Sequence, residues 1–98
     1  MFIRRVVGLS MEPALAEGDL VVCSKKRHYN VNDIVVATVN GQQVIKRIYG
    51  KTENKVYLLG DNSSASTDSR QYGAVDKKLL QGRCNYLYRK PLTLRRLK

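Results

Sequence analysis

The chain has no tryptophan, and only one phenylalanine, one histidine, two prolines and two cysteines in its 98 residues. Each scarcity narrows the chemistry. His28 is the sole histidine and lies in the basic run "KKRHYN" without a matching motif, which disfavours a Ser-His-Asp triad. Cys23 and Cys84 are too far apart for a Cys-x-x-Cys redox or zinc motif, and with His28 alone beside them no metal site and no cofactor are expected. They suffice for one disulfide and suit two buried free thiols as well, so the spacing leaves their state and the compartment open. Long apolar runs are missing too. No segment approaches the roughly 20 apolar residues of a membrane-spanning helix. The start "MFIRRVVGLS" has no signal-peptide apolar region. Acidic residues are the last scarcity: 8 against 18 basic ones, a formal net charge of +10. Such a field draws nucleic acid, anionic lipid or acidic protein without distinguishing among them, and is equally that of a solvated basic face.

What is present reads as one domain over residues 1–98, with no internal repeat or low-complexity tract. A chain of this length buries roughly 60–70% of the surface its unfolded form exposes, enough for one core without metal or disulfide support. The punctuation is that of a β protein. "GDLVVC" is a short apolar run after a Gly-Asp turn. "DIVVATV" and "QQVIKRIYG" are β-branched runs separated by Asn40-Gly41, a strong hairpin signal. "KVYLLG" and "CNYLYRK" predict two more strands, while "MEPALAEG" and "AVDKKLLQG" leave room only for helical turns ending at glycine. The expectation is a compact, mostly antiparallel β-barrel or sandwich. The polar segment from Gly60 to Tyr72 stands out as a long loop of functional interest.

Two places carry possible chemistry. In "VGLSMEPALAEGDLVV", Ser10 either caps a helical turn over Glu12 to Ala16 or is a nucleophile presented at a strand end. In "VIKRI", alternation puts Val44, Lys46 and Ile48 on one face and Ile45, Arg47 and Tyr49 on the other. Both faces carry aliphatics, so periodicity does not say which one is buried. A lysine held among apolar groups loses preference for its charged form and becomes a possible general base.

Three stretches together resemble the boxes of type I signal peptidases, serine–lysine proteases related to the self-cleaving SOS repressors. They are "GLSMEPALAEGD", "VIKRIYG" and "GDNSSASTDSRQYG", in that order from Gly8 to Gly73. The third is the most specific and favours the signal-peptidase branch. The resemblance implies Ser10 as nucleophile and Lys46 as its general base. It implies Ser66 as a hydroxyl orienting the lysine, and Asp68 with Arg70 as a supporting ion pair. The Ser10 amide would serve the oxyanion, and the position where some members add a serine hydroxyl is here Gly8. By the same analogy Arg5, Val7 and Leu9 on one side, and Val44 and Ile45 on the other, would line an extended substrate. The implied reaction is removal of a signal or leader peptide from a precursor protein, with no cofactor.

Only nine residues precede Ser10 and thirteen separate Lys46 from Gly60. The chain thus matches a minimal catalytic core: either an anchor lies outside it or it is a short soluble member. Small maturation proteases, such as those paired with nickel superoxide dismutase, are of the latter kind. The start "MFIRRVV" leans toward the soluble option, cytoplasmic or membrane-associated, with an anionic membrane surface as a possible peripheral contact. Two other classes stand beside this reading. One is a basic β-barrel module binding nucleic acid, which needs aromatics interleaved with basic residues; "RIYGK" and "NYLYRK" supply a little of that, and no nucleic-acid partner is expected. The other is a catalytically inactive relative. Oligomeric state is left open.

Overall fold

The computed structural model describes residues 1–62, 74–90 and 93–97. Among these residues eight strands make one antiparallel sheet: β1 (Phe2–Arg5), β2 (Leu20–Ser24), β3 (Ile34–Val39), β4 (Gln42–Lys51), β5 (Lys55–Leu59), β6 (Val75–Asp76), β7 (Leu80–Arg89) and β8 (Thr93–Arg96). The strand order is β1-β2-β7-β3-β4-β5-β6, with β8 paired to β7 off this path. A single 3₁₀ turn at Lys77–Leu79 is the one helical element among the described residues. The mostly-β expectation holds, with one correction. Among the described residues the sheet does not close, because β1 and β6 end the order without pairing to each other.

The local reasons are legible in the chain. Asn40 and Gly41 both have positive φ (52° and 80°), as a two-residue type I′ hairpin turn requires, and they join β3 to β4 in the register Val39↔Gln42. β3 is apolar nearly throughout because it is buried on both faces. Ile34 and Val36 join a core with Met11, Leu15, Val21, Cys23, Cys84 and Leu87. Val35, Ala37 and Val39 join a second with Ile48, Val56, Leu58 and Leu80. Gly82 is required by packing: a Cβ there would lie 2.7 Å from the Phe2 ring, so β1 can close over β7 only where the side chain is missing.

The two cysteines face each other across β2 and β7, both buried, as free thiols with their sulfurs 3.5 Å apart. Cys84 is pushed well above the ordinary thiol range, by its hydrogen bond with Cys23 and then by burial. Neither residue lines the groove described next.

Candidate active site

Residues 6–19 form a tight excursion between β1 and β2. Val6 N–H donates to the Asp19 carbonyl at 2.8 Å, and Gly18 N–H donates to the Val6 carbonyl at 2.8 Å, closing its base. Inside, Leu15 N–H donates to the Met11 carbonyl at 2.9 Å, one turn that does not continue into a helix, and Met11 and Leu15 are both buried. The base is locked by Asp19, only 4% exposed. Its carboxylate accepts the Ala16 N–H at 2.8 Å and a two-pronged contact from Arg89 at 2.9 and 2.7 Å. The Arg89 hydrogen bond holds the Asp19 carboxyl below the ordinary aspartate range, against the opposing cost of burial. Ser10 rides on this packed support, half-buried, beside Met11.

β4 answers the question its periodicity left open. Lys46 is 5% exposed and Ile48 fully buried, so the inward face is that of Val44, Lys46 and Ile48. Lys46 sits opposite Val35 of β3. It lines a groove of about 350 Å³ together with Ser10, Met11, Val36, Gln43, Val44, Ile45 and the β1 side from Arg4 to Val7. The walls have a specific form. β1 pairs only with β2, and β4 pairs with β5 only from Arg47 onward, so among the described residues the outer edges of Arg4–Arg5 and Gln42–Ile45 have no strand partner. A side-chain bond crosses between them, Arg4 Nε donating to Gln43 Oε1 at 2.8 Å.

A second tie runs from the lysine strand to the serine loop. Arg47 donates to both carboxylate oxygens of Asp61, at 2.9 and 2.8 Å, and to the Asn32 carbonyl at 2.9 Å. The Asp61 hydrogen bond raises the Arg47 guanidinium further, over the opposing effect of burial. The next residue, Asn62, clamps the loop: its backbone N–H donates to the Ser10 carbonyl at 2.8 Å and its Nδ2 to the Leu9 carbonyl at 3.1 Å. Lys46–Arg47, Asp61–Asn62 and Leu9–Ser10 are therefore three adjacent pairs bonded in series.

Of the residues singled out in the sequence, Ser10, Lys46, Arg5, Val7, Val44 and Ile45 come together around one groove. Leu9 does not line it. Its side chain is 49% exposed, and its carbonyl takes the Asn62 bond instead. Gly8, at φ 83°, donates its N–H to the Glu17 carboxylate at 3.2 Å. Ser66, Asp68 and Arg70 lie outside the described residues. Sequence reasoning gave no role to Asp61 and Asn62, although "GDN" opens the third box directly after a strand, and it singled out Asp68–Arg70 rather than Arg47–Asp61 as an ion pair.

The model of the family described as Peptidase S24-like matches residues 1–82. The chain belongs to this peptidase family. Two relatives of the family member set its range. Mitochondrial inner membrane protease subunit 1 of Xenopus tropicalis is 32% identical over 103 aligned positions, covering 78% of this chain. The LexA repressor of Photorhabdus laumondii subsp. laumondii is 32% identical over 85, covering 83% of it. The chain spans 62% of the first relative's length and 42% of the second's. An S24-like peptidase and a protease subunit support a hydrolase of the peptidase type. Among the described residues, no helix is long and apolar enough to cross a membrane.

Proposed function

We propose that the chain is a serine endopeptidase in which Ser10 and Lys46 act as a dyad to remove signal or leader peptides from precursor proteins. One observation carries this reading: a buried lysine and a half-buried serine, from distant parts of the chain, line one groove between two strand edges. A serine hydroxyl is a weak nucleophile until a neighbouring base takes its proton, and an amine removed from water holds its own proton less tightly. Ser10 Oγ would attack the scissile carbonyl as Lys46 Nζ accepts the hydroxyl proton. Lys46 would then pass that proton to the leaving amine, and water would complete release of the acyl group from Ser10. The Ser10 amide is the proposed oxyanion donor. Gly8 offers no side chain and its amide is engaged by Glu17, so the second donor in this scheme is water.

The groove supports an extended substrate. Backbone groups along Arg4–Arg5 and Gln42–Ile45 would pair with a peptide strand, while Val7, Val44 and Ile45 bound the space for its side chains. Ser66, with Asp68 and Arg70, remains the proposed support of the lysine from the third box. The relative named as an inner membrane protease subunit and the +10 charge support contact with an anionic membrane surface, with a precursor protein as substrate.

The test is digestion of a precursor peptide with small residues before the cut, read by mass spectrometry, with Ser10→Ala alongside. A defined cut made by the parent chain and lost in Ser10→Ala is the expected result. A cut that persists in Ser10→Ala, with both proteins folded, would remove the serine from the mechanism. The series of bonds through Asn62 gives a subtler expectation. Asn62→Ala keeps the backbone bond to Ser10 and loses the one to Leu9. Removing an exposed hydrogen bond of this kind costs only about 0.5–1.5 kcal/mol of stability, yet a small shift of a nucleophile is expensive in rate. A roughly tenfold fall in kcat/KM with only a small change in melting temperature is expected. An unchanged kcat/KM would show that the clamp does not position Ser10.

A further inference from the structure

The strand registers place two rows of side chains side by side on the outer surface of the sheet, away from the core. One row runs Arg5, Leu20, Tyr88 and Leu94 across β1, β2, β7 and β8; the next runs Ile3, Val22, Tyr86 and Arg96. Their strand neighbours Val21, Cys23 and Leu87 point the other way and are fully buried, which fixes this face as the outer one. It is also poorly covered: Ile3 is 57% exposed, Tyr86 42% and Leu94 65%. An apolar and aromatic centre with an arginine at each of two opposite corners is an unusual face to leave in water. Beyond the Arg96 corner, Lys26 and Arg83 border a shallow depression shared with Tyr86 and Arg96. Neither row contains a carboxylate.

We propose that this face is the contact surface for an anionic lipid bilayer. Aliphatic side chains and tyrosines suit the boundary between headgroups and acyl chains, and a basic rim suits acidic headgroups. A second copy of the chain would bring another +10 charge and the same arginines to a face with nothing acidic to meet them. Nucleic acid would find two tyrosines for stacking, but four of the six central side chains are aliphatic. The inference gives a location to the membrane contact suggested above and does not depend on the chemistry of Ser10. Because binding is read without a peptide substrate, it can fail while the peptidase reading stands, and the reverse.

The chain lacks tryptophan, so one introduced indole reports its own surroundings. The probes are vesicles of phosphatidylcholine alone and of phosphatidylcholine mixed with phosphatidylglycerol. In Tyr86→Trp, the mixed vesicles are expected to shift emission to the blue, and neutral ones to have little effect. In Tyr49→Trp, on β4 and away from the rows, neither should. Co-sedimentation of the parent chain with the mixed vesicles should weaken about tenfold or more in the double variant Tyr86→Ser, Leu94→Ser, and also fall in Arg96→Gln. Circular dichroism of each variant confirms that it folds. Four outcomes would overturn the proposal: no binding to mixed vesicles; binding unaffected by the double variant; a shift at Tyr49→Trp instead of Tyr86→Trp; or, without lipid, a dimer in sedimentation that the double variant dissociates. The last would assign the face to a second copy.

Discussion

Lys46→Met is expected to lower kcat by about a thousandfold or more while leaving the protein folded. General-base assistance contributes roughly 10²–10⁴ in rate, and a dyad whose members act as a unit loses nearly all of it when either is removed. Stability should fall far less than rate. Lys46 is 5% exposed, opposite Val35 and two residues from fully buried Ile48. Methionine has similar length and keeps the packing of the stem, and swaps that conserve volume in a core are the best tolerated. A residue kept for packing would show the reverse, a loss of stability with activity reduced only in proportion. Single-turnover cleavage and thermal melts of the same preparation separate the cases, and near-parent turnover in Lys46→Met would end the dyad mechanism.

Asp19→Asn is expected to destabilise the fold by roughly 2 kcal/mol at neutral pH, a typical loss for hydrogen bonds to a charged group. It should also flatten the acid limb of the stability profile. The sign follows from the direction of the shift. The folded-state carboxyl is held below its ordinary value, by the Arg89 hydrogen bond first and with help from the Ala16 amide. Its contribution is therefore fully present above the unfolded value of about 3.9 and is lost as pH falls through the lower folded value. Melting temperature against pH should drop for the parent over that acidic window and less steeply for Asp19→Asn. Parallel curves would mean that Asp19 is not the titrating support of the serine loop. Since Ser10 rides on that loop, turnover should fall with stability.

The strands most legible in the sequence were those with two signals at once. β3 and β4 combine β-branched runs with Asn40-Gly41, and both registers and turn follow. β1, β6 and β8 carried no such signal. β6 has two residues and β1 four, and each depends on a partner strand rather than on its own pattern. β7 begins at Leu80, several residues before the expected strand, because Gly82 reads as a helix stop in sequence but serves packing under Phe2. The site was half legible for a similar reason. Ser10 and Lys46 stood out as candidates because their neighbours form a recognisable pattern. The burial of Lys46 did not, since Val44, Ile45 and Ile48 give both faces of β4 an apolar look and only the packing of β3 distinguishes them. The bonds of Asp61 and Asn62 were invisible, because Asp61 meets Arg47 from 14 residues away and the Asn62 partners are backbone carbonyls, which leave no trace in sequence.

The facing edges of β1 and β4 also bear on how the chain behaves when crowded. A bare strand edge is a template on which neighbouring molecules build sheets, and proteins that leave one open risk precipitating through it. Here the two edges border one groove, with the Arg4–Gln43 bond spanning it. A flat sheet edge from another molecule cannot enter such a slot, whereas a single extended segment can. The feature that would admit an extended substrate is thus also one that would hinder pairing of sheet edges between molecules.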